Sequence, residues 1–194
     1  MNKVYIILAT VVGLFIASQL LMSYYSSDIE MPKYTVLKKY DNFEIRQYES
    51  MIVAQTTMPA NTYKKSANMG FRRIAGYIFG NNKQKQEIAM TAPVFMEMGE
   101  DTKMAFVMPS KYSLSELPAP NSSSVSLVQL EPKKYAVVRF SGFASDRRIK
   151  KYTEKLKQLI LDNKIDAIGS YNFLGYNAPW EVFGRRNEIA VEVN

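Results

Sequence analysis

The chain has 194 residues, 47% of them hydrophobic and 22% charged, with a formal charge of +7 and neither histidine nor cysteine. Those two absences exclude a Ser-His-Asp triad, a cysteine nucleophile, disulfides and an ordinary zinc site. The positive balance suits an anionic membrane face, an acidic ligand, or solubility alone, which is the default.

Val4 to Met22 carries no charge over 19 residues. As a helix this run covers about 28 Å, close to the thickness of a bilayer core. It is longer than the roughly 7–15 apolar residues of a secretory signal and ends in bulky residues where cleavage wants small ones. The expectation is an uncleaved transmembrane helix, a membrane anchor over 1–25, with Tyr24 and Tyr25 at the interface. Lys3 before the span, and Asp28 and Glu30 after it, put the rest of this single-pass chain on the extracytoplasmic side. Residues 26–33 read as a polar tether, and the folded domain as 34–194.

From Tyr34, "YTVLKKYDNFEIRQYE" reads as two strands about an Asp41-Asn42 turn, followed by the strand "MIVAQTTM". Pro59 and Asn61 start a helix on which Tyr63, Ala67, Phe71, Ile74 and Ile78 recur at helical spacing, and Gly80-Asn81-Asn82 stops it. "QEIAMTAPVFMEM" and "KMAFVMP" are the next strands. After the serine- and proline-rich stretch 110–124 the order recurs: "SVSLVQLE" and "YAVVRFSG", then a helix opened by Ser145 and Asp146 with a stripe of Ile149, Tyr152, Leu156, Leu159 and Ile160. "YNFLGYNAPWEVF" and "NEIAVEV" close the series, and Ala178-Pro179 is read as the counterpart of Ala92-Pro93. Two similar β-α-β-β halves cannot hide their apolar faces alone. The fold class expected is α+β, an antiparallel sheet curved toward a barrel with two packed helices, preceded by the N-terminal transmembrane helix.

Strand alternation puts Ile88, Met90, Ala92, Val94 and Met96 on one face, and Met104, Phe106 and Met108 on another. Methionine fills irregular core space, so packing outweighs heme ligation for these residues. The pairs Arg72-Arg73 and Arg185-Arg186 read first as solvated or ion-paired surface, and second as recognition of a carboxylate. The basic helix Arg147–Lys157 is a solvated face that can also meet anionic lipid. It lacks the interleaved aromatic residues that nucleic acid binding uses. No Gly-rich phosphate loop and no paired carboxylates point to catalysis, so a binding protein and not an enzyme is expected.

The segments "FEIRQYE", "GFRRIAGYIFGNN", "EIAMTAPVFM", "FVMPSKY", "LPAPNSSSV", "AVVRFSGFAS" and "GYNAPWEVFGRRNEIAV", in that order, resemble the SOUL heme-binding protein family from about Tyr34 to Val193. The resemblance implies a distorted antiparallel barrel of two similar halves. It also implies heme or a related tetrapyrrole in a shallow hydrophobic groove, with no known catalytic reaction. That groove lies between the domain's first helix and the loop before the last strand, here Tyr63 to Phe79 and Tyr176 to Gly184. Two departures matter. Gln47 stands where a member proposed to ligate heme has histidine, and Asn68 and Gly76 fall where relatives carry cations. Heme is therefore expected to bind weakly through Met69, Tyr77, Tyr176 and Trp180, with its propionates near Arg72 or Arg73. Its iron would take tyrosine, methionine or no protein ligand, and no other metal is expected. The alternative is a module of the same fold for another amphiphile or a protein partner, with heme incidental.

Overall fold

The computed structural model of the chain describes residues 2–26, 29–59, 63–97 and 101–194. Along them run α1 (Asn2–Ser26), β1 (Tyr34–Lys39), β2 (Glu44–Tyr48), β3 (Met51–Pro59), α2 (Tyr63–Ile78), β4 (Val94–Glu97) and β5 (Asp101–Val107). They are followed by β6 (Ser126–Leu130), β7 (Lys133–Ser141), α3 (Asp146–Asp162), β8 (Ala167–Gly175) and β9 (Arg186–Val193). The strands form one antiparallel sheet in the order β1-β2-β7-β9-β8-β4-β5-β3-β6.

Two short connections dictate its curvature. β2 ends at Tyr48 and β3 begins at Met51, yet the path β2-β7-β9-β8-β4-β5-β3 separates them by six strand steps. Laid flat, six steps would span about 29 Å. Three Cα-to-Cα steps reach only about 11 Å. The link from Leu130 on β6 to Lys133 on β7 makes the same demand in the other direction. The sheet must roll up, and it forms a curled half-barrel.

One face of this sheet carries both domain helices. α2 lies over β3 and β5, and α3 over β7, β9 and β8. On α2, Ser66, Gly70, Ile74 and Ile78 recur every four residues and all are buried. Gly70 is the point of closest approach: a Cβ there would lie 2.8 Å from the sulfurs of both Met58 and Met104. On α3 the buried stripe is Ile149, Leu156 and Ile160, and Ser145 caps the helix by accepting from the Arg148 amide. Asp146, in the first turn of α3, accepts from the Tyr63 amide at 2.7 Å. One carboxylate thus satisfies an otherwise unpaired amide at the start of α2 and ties the two helix N-termini together.

The β-α-β-β order holds in both halves, as β3-α2-β4-β5 and β7-α3-β8-β9. The two Ala-Pro pairs are not equivalent, however. Ala92-Pro93 precedes β4, whereas Ala178-Pro179 follows β8. The strand expected from Gln86 pairs in the ladder only from Val94. Before that, the backbone bonds elsewhere: the Ile88 amide donates to the Ile78 carbonyl and the Ala92 amide to Glu30. Without a ladder the alternation fails, and Met90 is 40% exposed while Met96 is 1% exposed. Met104, Phe106 and Met108 are core residues. Asn61, Met98 and Glu100 lie outside the described residues, as do the side chains of Tyr24 and Tyr25.

The N-terminal segment also departs from expectation. Among the described residues no helix is long and apolar enough to cross a membrane. The transmembrane anchor over 1–25, and the single-pass placement built on it, are corrected accordingly. The physical reason lies in Gln19, which is buried against the domain and bonds its backbone at Trp180 and Val182. The apolar run before Gln19, Val4–Ser18, covers only about 22 Å of an approximately 30 Å core. The segment after α1 is more than a tether. Glu30 accepts the Ala92 and Ser110 amides, and the Lys33 carbonyl accepts the Glu49 amide, so residues 30–33 are strapped onto the sheet.

Met96 and Met90 give a direct check on this packing. Met96→Ala should cost about 2–4 kcal/mol of unfolding free energy and Met90→Ala under about 1 kcal/mol, read from denaturant midpoints. Equal losses would mean that the alternation extends back through residue 90 after all.

Candidate functional site

The sheet face opposite α2 and α3 holds a buried charge cluster. Glu188, on β9, is fully buried, and Arg46 reaches it across β7 with Nη1–Oε2 at 2.9 Å and Nη2–Oε1 at 3.3 Å. Arg186 donates to Oε1 at 2.8 and 3.0 Å, and the Tyr176 hydroxyl donates to Oε2 at 2.7 Å. Aromatic rings close the cluster, with Arg46 over Tyr34 and Arg186 over Tyr176 at 4.5 and 3.9 Å to the ring centroids. Burial alone would raise the Glu188 carboxyl. The hydrogen bonds and charge of Arg46, joined by Arg186 and Tyr176, win and hold it below the usual carboxylate range. Burial, then the Glu188 charge, pushes the Tyr176 phenol far above its ordinary value, so it stays protonated and donating.

This cluster anchors the loop between β8 and β9. Tyr176 and Arg186 are its two stems, and both end on the same carboxylate. Within the loop, Asn177 accepts the Arg186 amide at 2.7 Å and donates to Glu181 at 2.7 Å, while Glu181 accepts the Ala178 amide at 2.9 Å. Arg185 donates to the carbonyls of Ala178 and Glu181. With its polar groups turned inward in this way, the loop presents Trp180, Val182 and Phe183 outward, Trp180 being 62% exposed. Arg185 also lies over the ring of Phe143, itself exposed, at 4.4 Å to the centroid. Its charge acts on the Tyr63 phenol, which burial holds above its ordinary value. Tyr63 packs edge-on against Phe173 at 5.3 Å. Arg185 thus brings a charge of the loop near Tyr63 in the first turn of α2.

The residues singled out from the sequence fall in three places. Tyr176 and Trp180 are on this loop, one turned in and one out. Met69 and Arg72 are exposed further along α2, and Arg73 leans toward β3, donating to the Thr57 carbonyl at 3.0 Å and to Thr56 at 3.4 Å. Tyr77 is buried beneath the helix with its hydroxyl donating to the Pro118 carbonyl at 2.9 Å. Tyr63, Phe143, Val182, Phe183 and Arg185 were not selected as site residues. The sequence signal is three large apolar residues, Trp180, Val182 and Phe183, close before a paired arginine in a loop.

The sequence pattern of the SOUL heme-binding protein family matches residues 29–192. The chain belongs to that family. Heme-binding protein 1 of Xenopus laevis is 23% identical over 155 residues, covering 76% of this chain and 81% of the relative. Human heme-binding protein 2 is 27% identical over 157 residues, covering 76% of each. Among solved structures, the C-terminal domain of EcmrR superposes with a TM-score of 0.62 at 13% identity, over 83% of this chain and 98% of that one. A hydrolase from Listeria innocua gives 0.58 at 8% identity, over 81% and 94%. At such identities these structures establish a shared fold alone.

Heme is the group its relatives are named for, and the residues of this SOUL domain fit it unevenly. The outward Trp180, Val182 and Phe183 suit an apolar macrocycle. Tyr176 does not suit iron, because its oxygen is occupied by Glu188 and its proton is held. Glu188→Ala, which removes a carboxylate partner from buried Arg46 and half-buried Arg186, should cost about 3–5 kcal/mol. The wild-type cluster contributes fully above the unfolded carboxyl value of about 4.3 and loses its contribution as pH falls through the lower folded value. Urea midpoints measured from pH 7 to pH 3 should fall steeply below about pH 4 for the wild type and more gently for the variant.

Proposed function

We propose that this chain binds heme or a related tetrapyrrole on the apolar rim made by the loop between β8 and β9, without a histidine ligand. The observation that carries the reading is the loop's construction. Asn177, Glu181 and Arg185 bond within the loop while Trp180, Val182 and Phe183 are turned to solvent, an arrangement that costs stability unless something covers them. Membership of the SOUL family and relatives named for heme supply the ligand class.

Trp180 is the principal contact, with Val182 and Phe183 beside it and Tyr176 fixing the stem beneath. Arg72 is the arginine assigned to a propionate, with Met69 next to it on the same exposed stretch of α2. Arg73 is spoken for by β3, and Tyr77 supports α2 from below. The macrocycle is held by its face and edge, and the function is binding, not catalysis. When bound, heme would bring its own redox and ligand chemistry; the chain contributes shape, apolar surface and a cation.

A second reading, another amphiphile on the same rim, is favoured by the absence of any ligand suited to iron at Tyr176. Titration with hemin and with metal-free protoporphyrin separates the two. Saturable Soret shifts at micromolar concentration, of similar affinity for both, are expected, with Trp180→Ala weakening each about tenfold. No saturable shift with either compound would reject the tetrapyrrole reading.

A further inference from the structure

α1 lies outside residues 29–192, which match the family, and it is fastened to the proposed ligand loop. The Gln19 side chain is 7% exposed; its Oε1 accepts the Val182 amide at 3.0 Å and its Nε2 donates to the Trp180 carbonyl at 3.5 Å. One side-chain amide bonding both an N–H and a C=O of the loop imitates a strand pairing and fixes α1 beside Trp180 and Val182.

Exposure along α1 follows the same geometry. Val12, Phe15 and Ile16 are 49%, 49% and 46% exposed, whereas Val4, Leu8, Val11, Leu14 and Leu21 range from 58% to 69%. Positions 12, 15, 16 and 19 are spaced as one helical stripe, so the shaded side of α1 is the side that carries Gln19 and faces the loop. Both surfaces nevertheless stay about half open, Trp180 and Phe183 at 62% and 57%. Apolar side chains thus flank the Gln19 contact on both α1 and the loop, and neither set buries the other.

We propose that α1 is the second jaw of the binding site, a flat apolar ligand being held between Val12, Phe15 and Ile16 on one side and Trp180, Val182 and Phe183 on the other. The inference rests on the tetrapyrrole reading and extends it to a segment outside the matched residues 29–192. Covering both faces of a planar macrocycle removes about twice the apolar area from water that one face would, so binding needs no bond to iron.

Trp180 is the chain's sole tryptophan, and hemin titration of the full chain can follow its fluorescence together with the Soret band. Phe15→Asp should raise the dissociation constant about tenfold or more, since it replaces an apolar contact with a charge. Gln19→Ala should do so by a smaller factor, and neither should change the domain's unfolding midpoint. Saturable binding by the wild type that Trp180→Ala weakens and Phe15→Asp leaves unchanged would overturn the second jaw while leaving the loop site standing. Absence of saturable binding by the wild type would overturn the site itself.

Discussion

A single carboxylate does much to decide how this molecule is put together. Glu188 has no exposure to water, and an ionised group in that position is tolerable only if several charged or polar partners converge on it. Arg46 comes from β2, Arg186 from the start of β9, and Tyr176 from the end of β8. Their convergence joins three strands on the face that has no helix. It also closes the base of the loop whose tip carries the apolar rim. The same group is therefore a fold determinant and the foundation of the loop proposed as the site.

That double role explains why the site could be only partly read from residues. Helical spacing located α2 and α3 because their buried stripes are continuous and their caps are local: Ser145 and Asp146 are visible in the sequence as cap and first-turn acid. The β-α-β-β order was legible for the same reason. Arg46 and Glu188 were not, because nothing in a strand's alternation distinguishes a charged residue turned to solvent from one turned to a distant partner. Met90 failed in the opposite way. Its neighbours alternate like a strand, but their backbone groups bond to Ile78 and Glu30, contacts that no local pattern announces.

The loop between β8 and β9 sits between these cases. Trp180, turned to solvent, and Tyr176, turned inward to Glu188, are four residues apart in the same loop. Proximity in sequence suggested a common role for them; the hydrogen bonds divide the roles into surface and foundation. The arginines divide likewise. Arg73, Arg185 and Arg186 are held by protein carbonyls or by Glu188, whereas Arg72 is exposed on α2. Counting cations near a groove says little until it is known which of them already have partners.

The strand order carries one more implication. β2 precedes β3 in the chain but pairs with β7, and β6 precedes β7 but pairs with β3. Each half thus places its leading strand in the other half's sheet. A solitary half would have an open edge where the missing strand belongs and a spare strand with nowhere to lie. Two separate copies would satisfy each other by trading those strands. The chain thus has the topology of a strand-exchanged pair whose two members are joined by residues 108–125.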